Sequence, residues 1–234
     1  MEVGLAAPHL DVGTGQSTEI VGACDEFDGR CPSTLRRSTS GVAKTQPLGA
    51  MVRRVVLQFW ISLDGYSRDE GTELYRVMQE MPDDEQWDEY GVSRLRQADT
   101  HIMGRVTYES MAEFWPKFDN PVAGAMNDIP KVVFSRTLRS ASWTESRIAS
   151  GDTAEEIARL KAEPGGEIVA HGGVQFARSL IRLGLVDEYR LAVLPAAVGQ
   201  GERLFTDLAH ALTLRLVTCR AFPAGLLELV YSPS

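Results

Sequence analysis

The chain is short of cysteine, of long apolar runs and of positive charge. Its 234 residues include three cysteines, Cys24, Cys31 and Cys219. Three thiols make neither a disulfide framework nor a four-ligand zinc set, so a reduced, cytoplasmic protein without a structural metal is expected. No apolar run approaches the roughly 20 residues that span a bilayer, and the N-terminal residues lack the basic-then-apolar order of a secretory signal. A membrane role is therefore not expected. Acidic residues outnumber Lys and Arg by 32 to 24, a net charge of -8. That balance disfavours nonspecific binding to nucleic acid or anionic lipid but is compatible with a local basic pocket for a small-molecule ligand.

What is present is an ordinary globular composition, 44% hydrophobic and 24% charged, in a length that suits one domain of moderate size with or without a tail. Residues 1–50 are rich in Gly, Ser, Thr, Ala and Pro and show neither helical nor strand periodicity. They are expected to form a disordered N-terminal extension. The segment Gly13-Thr14-Gly15-Gln16-Ser17-Thr18 resembles a phosphate loop but lacks the Gly-Lys-Ser/Thr ending and a preceding strand, and reads as linker. At Met51 the character changes, and Met51 is a candidate start codon; the folded domain is expected over 51–234.

From 52 onward strand and helix patterns alternate. Residues 52–61 read as a buried strand, followed by the turn Ser62-Leu63-Asp64-Gly65. Helical spacing covers 71–81 and 84–98, then comes a strand at 100–103 and a helix at 105–115 stopped by Pro116. A short helical turn is expected at 123–128, strands at 131–134 and from Ser142-Trp143, and a helix at 153–162 capped by Asp152 or Thr153. A strand at 167–170 runs into His171-Gly172-Gly173 and a helix at 174–183, ended by Gly184. Strands at 188–194, 212–219 and 226–231 follow without helices between them. The pattern predicts an α/β fold, a mostly parallel sheet with an antiparallel C-terminal edge, covered by helices.

In open α/β sheets ligands sit at the carboxyl ends of strands. Three strand ends carry groups suited to phosphate. Gly104 permits close backbone approach, Arg105 offers a fork of donors, and Thr107 offers a hydroxyl near a helix start. Ser135 and Arg136 bring a hydroxyl and a guanidinium that could hold an extra phosphate on a ribose. Gly172, Gly173 and Val174 open a helix with bare N–H groups. Each alone is more often a polar turn than a site; three in the same positional role favour one shared ligand.

MGRVTYES (103–110), KVVFSRTL (131–138) and HGGVQFARSL (171–180) resemble the cofactor-binding segments of the dihydrofolate reductase superfamily. GLVDEYRL (184–191), Pro195, GQGERLF (199–205) and Ser62-Leu63-Asp64-Gly65 resemble one branch more closely. That branch is the reductase domain at the C-terminus of the bacterial bifunctional riboflavin-biosynthesis deaminase-reductase, with its free-standing relatives. The resemblance implies a three-layer α/β/α sandwich and NADPH as cofactor. By that resemblance Gly104, Arg105 and Thr107 would contact cofactor phosphates, Ser135 and Arg136 would lie by the 2′-phosphate, and Gly172, Gly173 and Val174 would cover the pyrophosphate.

It also implies an NADPH-dependent reductase of a pyrimidine or pterin-like ring, most like 5-amino-6-(5-phosphoribosylamino)uracil reductase. The alternatives are a related enzyme of other substrate and a non-catalytic NADPH-binding protein; a purely structural dimer module is a third. Two carboxylates are candidates to manage the proton that accompanies hydride transfer. Asp64 follows the first strand at the mouth of the sheet, although an aspartate beside glycine is also a common turn pair. Asp88 stands before MGR at about the spacing of the acidic residue in true dihydrofolate reductases, among the solvated acids Asp83, Asp84, Glu85 and Glu89. The Leu-Pro-Trp segment of those enzymes is missing. No His-x-Glu or Pro-Cys-x-x-Cys occurs, so the zinc deaminase site cannot be built. His171 is expected to be held by hydrogen bonds, Cys219 to be inert core, and the chain to form a homodimer, because edge strands need cover.

Overall fold

The run VVLQFWIS forms the central strand β1 (Val55–Ser62), buried on both faces as the parallel strands of a doubly covered sheet require. The computed structural model describes residues 53–68 and 71–234. The expectations for 1–50 and for Met51 lie outside the described residues. After β1 come α1 (Glu73–Gln79), α2 (Glu85–Leu95), β2 (Ala98–Gly104), α3 (Arg105–Phe114), α4 (Pro121–Asp128), β3 (Lys131–Phe134) and β4 (Ser146–Ala149). Then follow α5 (Thr153–Ala162), β5 (Glu167–His171), α6 (Val174–Arg182), β6 (Glu188–Leu194), β7 (Leu214–Ala221) and β8 (Leu227–Pro233). The eight strands form one sheet in the order β4-β3-β2-β5-β1-β6-β8-β7. The first six are parallel; β8 runs antiparallel to β6 and to β7.

Strand alternation sorts the core into two faces. On one, Val55, Leu57, Phe59, Ile102, Val132, Ile168 and Ala170 pack with Ile157 and Leu160 of α5 and Ala177 and Leu180 of α6. On the other, Met103 and Val133 pack with Leu95 of α2, Tyr108 of α3 and Met126 of α4. This is the three-layer α/β/α sandwich with an antiparallel C-terminal edge. Among the described residues no helix is long and apolar enough to cross a membrane.

Two expectations are corrected. The strand placed at Ser142-Trp143 forms instead at Ser146–Ala149. Trp143 is loop, its ring buried and its Nε1 donating to Asn127 Oδ1 at 2.8 Å. Only Ile148 and Ala149 are apolar in that four-residue strand, too few to set a period. Cys219 is exposed rather than core, because β7 is the sheet edge and both its faces are open.

The order of the strands locates the crevice. β5 lies between β2 and β1. The chain leaves β5 into α6 on one face and leaves β2 and β1 toward the helices of the other. Where neighbouring strands send their connections to opposite faces, a cleft opens at their carboxyl ends.

Candidate functional site

Four of the six α-helices among the described residues have a side-chain cap. Thr72, Asp84, Asn120 and Asp152 accept from the N–H groups of Tyr75, Trp87, Ala123 and Glu155. The other two, α3 and α6, begin at Gly104 and Gly173 with no side-chain hydrogen bond. They leave the ends of adjacent strands, since β2 pairs with β5 through Ile102 and Ala170. Two sets of orphan N–H groups, each at the positive end of a helix, thus share one stretch of the sheet edge.

The glycines are fitted to this place. A Cβ on Gly173 would stand 2.5 Å from Thr107 Oγ1, and one on Gly104 would stand 3.3 Å from Phe176 Cβ. Gly173 has φ +72, a conformation that a side chain disfavours. Thr107 therefore lies directly against the Gly172-Gly173 turn, although the two segments are 65 residues apart in sequence (172 − 107). Val174 is buried and anchors the first turn of α6. Arg105 is the first residue of α3 and donates to Glu109 Oε2 at 2.6 Å on the surface.

Ser135 and Arg136 follow β3, which pairs with β2 on its other side. Ser135 Oγ accepts from the N–H groups of Thr137 (3.1 Å) and Leu138 (2.9 Å), so this hydroxyl shapes its own turn; Arg136 is exposed. The three phosphate-suited segments thus occupy the carboxyl ends of three consecutive strands, β3, β2 and β5.

The carboxylates are placed differently. Asp64 joins the loop after β1 to the loop after β6. It accepts from Ser62 Oγ (2.6 Å), Gly199 N (2.8 Å) and Val198 N (3.2 Å). The Ser62 hydroxyl first, then these amides, hold its carboxyl down to about 2. The same loops are sewn together by Leu63 N to Ala196 O, Ser67 N to Glu202 O and Leu204 N to Gly65 O. Arg178 of α6 donates to Arg203 O and pairs with Glu202, which ties this rim to the start of α6. Asp88 lies in the first turn of α2. Partial desolvation of its carboxyl, with Asp83 and Asp84 nearby, raises its pKa, although the residue as a whole stands exposed.

Below the crevice lies a pair that the sequence did not mark as a unit. His171 is the last residue of β5 and His101 lies on β2; their rings meet edge to face with centroids 4.4 Å apart. Both are buried, and His101 Nδ1 and Nε2 and His171 Nε2 have no hydrogen-bond partner among the described residues. At Nε2 this corrects the expectation that hydrogen bonds hold His171. Burial pushes the His171 imidazole down to about 4. Burial, then His171 and Lys131, push His101 well below the usual histidine range. The signal in the sequence was a histidine inside each of two apolar strand runs, THIM and IVAH.

Beside them on β1, Gln58 is the register partner of His171, and Trp60 stands two residues further toward the edge on the same face. Trp60 meets Trp87 edge to face at 5.1 Å, Trp87 meets Phe222 in the same way at 5.0 Å, and the Arg68 guanidinium lies 5.2 Å over the Trp60 ring. These aromatics wall the β1 end of the crevice. A separate cavity of about 560 Å³ lies at the amino ends of β3 and β4, lined by Thr100, Lys131, Trp143, Glu145, Arg147 and Glu163. It is away from the uncapped helices; the glycine turns and free N–H groups define the candidate site better than volume does.

The chain is 30% identical over 184 residues to the uncharacterized Bacillus subtilis protein YyaP, covering 76% of this chain and 94% of YyaP. A riboflavin-biosynthesis candidate from a Shewanella species superposes with TM-score 0.65 at 23% identity, covering 77% of this chain and 99% of the other. Dihydrofolate reductase from Enterococcus faecalis, in complex with NADP(H) and RAB-propyl, superposes with TM-score 0.52 at 15% identity, covering 77% and 96%. At those identities the two structures speak for the fold. The profile of the RibD C-terminal domain matches residues 53–227, and the chain belongs to that family.

Proposed function

We propose that this protein is an NADPH-dependent reductase of a pyrimidine or pterin-like ring, most like the 5-amino-6-(5-phosphoribosylamino)uracil reductase of riboflavin biosynthesis. The observation that carries the reading is the pair of uncapped helix starts, Gly104 and Gly173, at adjacent strand ends, with Thr107 of α3 packed against the Gly172-Gly173 turn. A pyrophosphate needs several N–H donors converging without side chains in the way, and this edge offers them. Arg105 would add a cation there, and Ser135 with Arg136 would meet a 2′-phosphate one strand further out. The nicotinamide end would then extend over β5 toward β1, where Trp60 stands. When bound, the cofactor would supply the hydride; the chain would orient it, exclude water and manage one proton.

A second reading, a non-catalytic NADPH-binding protein, draws support from the carboxylates. Asp64 is committed to a loop and Asp88 is exposed. One experiment separates the two. The full chain is titrated with NADPH and NADH by calorimetry, then mixed with NADPH and either the riboflavin-pathway intermediate or dihydrofolate. Binding of NADPH with oxidation in the presence of the pyrimidine is expected. Binding without turnover favours the second reading, and no heat with either coenzyme removes both.

A further inference from the structure

Hydride transfer to a C=N or C=C bond leaves an electron pair on the neighbouring atom, and that atom must take a proton. Once cofactor and substrate fill a crevice, bulk water is excluded from it. Asp64 is ionised at neutral pH and holds a loop, and Asp88 stands exposed in the first turn of α2, so a proton source inside the sheet is the alternative.

On the face of the sheet that α2, α3 and α4 cover, Lys131 on β3 is the direct register partner of His101 on β2. His101 in turn meets the ring of His171 on β5. His171 joins directly to Gly172 of the candidate cradle and keeps 7% of its surface accessible. At the other end Lys131 borders the 560 Å³ cavity. Its Nζ donates to Asn127 O (2.6 Å) and Thr144 O (3.1 Å) and lies 4.4 Å from the centroid of the Trp143 ring, a contact that holds its third hydrogen only weakly. Three buried imidazole nitrogens lack partners here. Each such atom has given up its hydrogen bonds to water without replacement, and Phe at either position would fill the space without that cost.

We propose that Lys131, His101 and His171 form a proton relay across three strands, from the solvent-facing cavity to the crevice. The inference rests on the reductase reading. The hydride brings two electrons to the electron-poor carbon, and the π pair moves to the neighbouring atom. That atom bonds the proton released from one nitrogen of His171. His171 takes a proton from His101 at its other nitrogen, His101 takes one from the Lys131 ammonium, and the amine regains a proton from water at the cavity. The two imidazoles share no hydrogen bond with each other at rest, so the proposed relay includes a bridging water or a ring rotation at each of these steps. Each imidazole ends neutral; a bound nicotinamide cofactor would supply the two electrons and be the group oxidised.

The test does not depend on turnover. In the full-length protein carrying 15N-labelled histidine, the imidazole N–H protons of His101 and His171 are followed by NMR as they exchange with solvent. A relay predicts exchange on the order of a hundredfold faster than that of the flanking β2 and β5 amides, which open only with the sheet. Lys131→Met should slow it about tenfold or more. Imidazole protons as protected as the amides of Ile102 and Ala170 would overturn the relay, as would exchange indifferent to Lys131→Met. The wild-type comparison decides even where that variant fails to fold. In single turnover, His101→Phe should slow NADPH oxidation on the order of tenfold to a hundredfold with NADPH affinity unchanged; an unchanged rate also overturns the relay. Should the wild type turn over no substrate, the reductase reading falls on its own, while the exchange rates still decide whether the relay exists.

Discussion

Thr107 Oγ1 stands 2.5 Å from the point where a Cβ on Gly173 would lie. Two costs therefore meet in Gly173→Ala. The left-handed backbone, φ +72, costs a non-glycine residue about 1–2 kcal/mol, and the methyl group collides with Thr107. Denaturant unfolding should show a loss of about 1–3 kcal/mol, and NADPH titration should show affinity falling beyond what stability explains. Adding Thr107→Ala should recover part of the stability but not the affinity, because the new methyl group still fills the cradle. Full recovery of both would mean that no ligand approaches the turn.

Arg136 and Ser135 make separable contributions. Arg136 is exposed at the end of β3, so Arg136→Ala should leave the melting temperature unchanged. If a 2′-phosphate binds there, NADPH affinity should fall about tenfold, the worth of one charge-assisted hydrogen bond, and NADH affinity should not change. Ser135→Ala should instead destabilise the turn, since Oγ accepts from both Thr137 N and Leu138 N. Equal loss for both coenzymes in Arg136→Ala would remove the assignment.

Most of the sheet was legible because its strands are apolar runs bounded by glycines and caps: α5 spans 153–162 as the spacing predicts, and of the two expected caps, Asp152 and Thr153, it is Asp152 that caps it. The three phosphate-suited segments could be read because each is local, a strand end and the first helical turn. Harder features depend on pairing between distant segments. No local pattern tells that β5 inserts between β1 and β2, and that insertion alone brings Thr107 to Gly173 and His101 to His171. Cys219 sits in a convincing strand pattern, but burial depends on whether another strand or helix covers it. For β7 none does among the described residues.

The histidine pair predicts an acid-labile fold. The His171 pKa is about 4 in the folded chain against 6.5 unfolded, so the unfolded state binds the proton first as pH falls. The stability linked to this group is complete above about 6.5 and drains away as pH drops toward 4. For His171 alone the loss reaches about 3 kcal/mol at most, and His101 acts in the same direction. Lys131, lowered from 10.5 to about 8, titrates above this window and leaves it unchanged. Urea unfolding from pH 7 to 4 should therefore show a slope that His171→Phe reduces. A wild-type profile already flat over that range would show that the pair opens to solvent before it protonates.

Asp64 offers the sharpest separation between scaffold and chemistry. Its carboxylate holds the amides of Val198 and Gly199, and its pKa of about 2 lies below the usual 3.8. The sign is that of a group favoured in its ionised form by folding. Its contribution is complete above about pH 4 and is lost as pH falls toward 2, so at neutral pH the tether is intact and Asp64 has no proton to give. Asp64→Asn keeps the shape but removes the charge and turns one acceptor into a donor facing N–H groups. Amide exchange at Val198 and Gly199 should rise, with that of the β1 and β5 core unchanged, and turnover should fall only as far as the rim loosens. Suppose instead that Asp64→Asn abolishes turnover while exchange at Val198 and Gly199 stays at the wild-type rate. The carboxylate would then be acting on substrate directly, and the tether would not be its role.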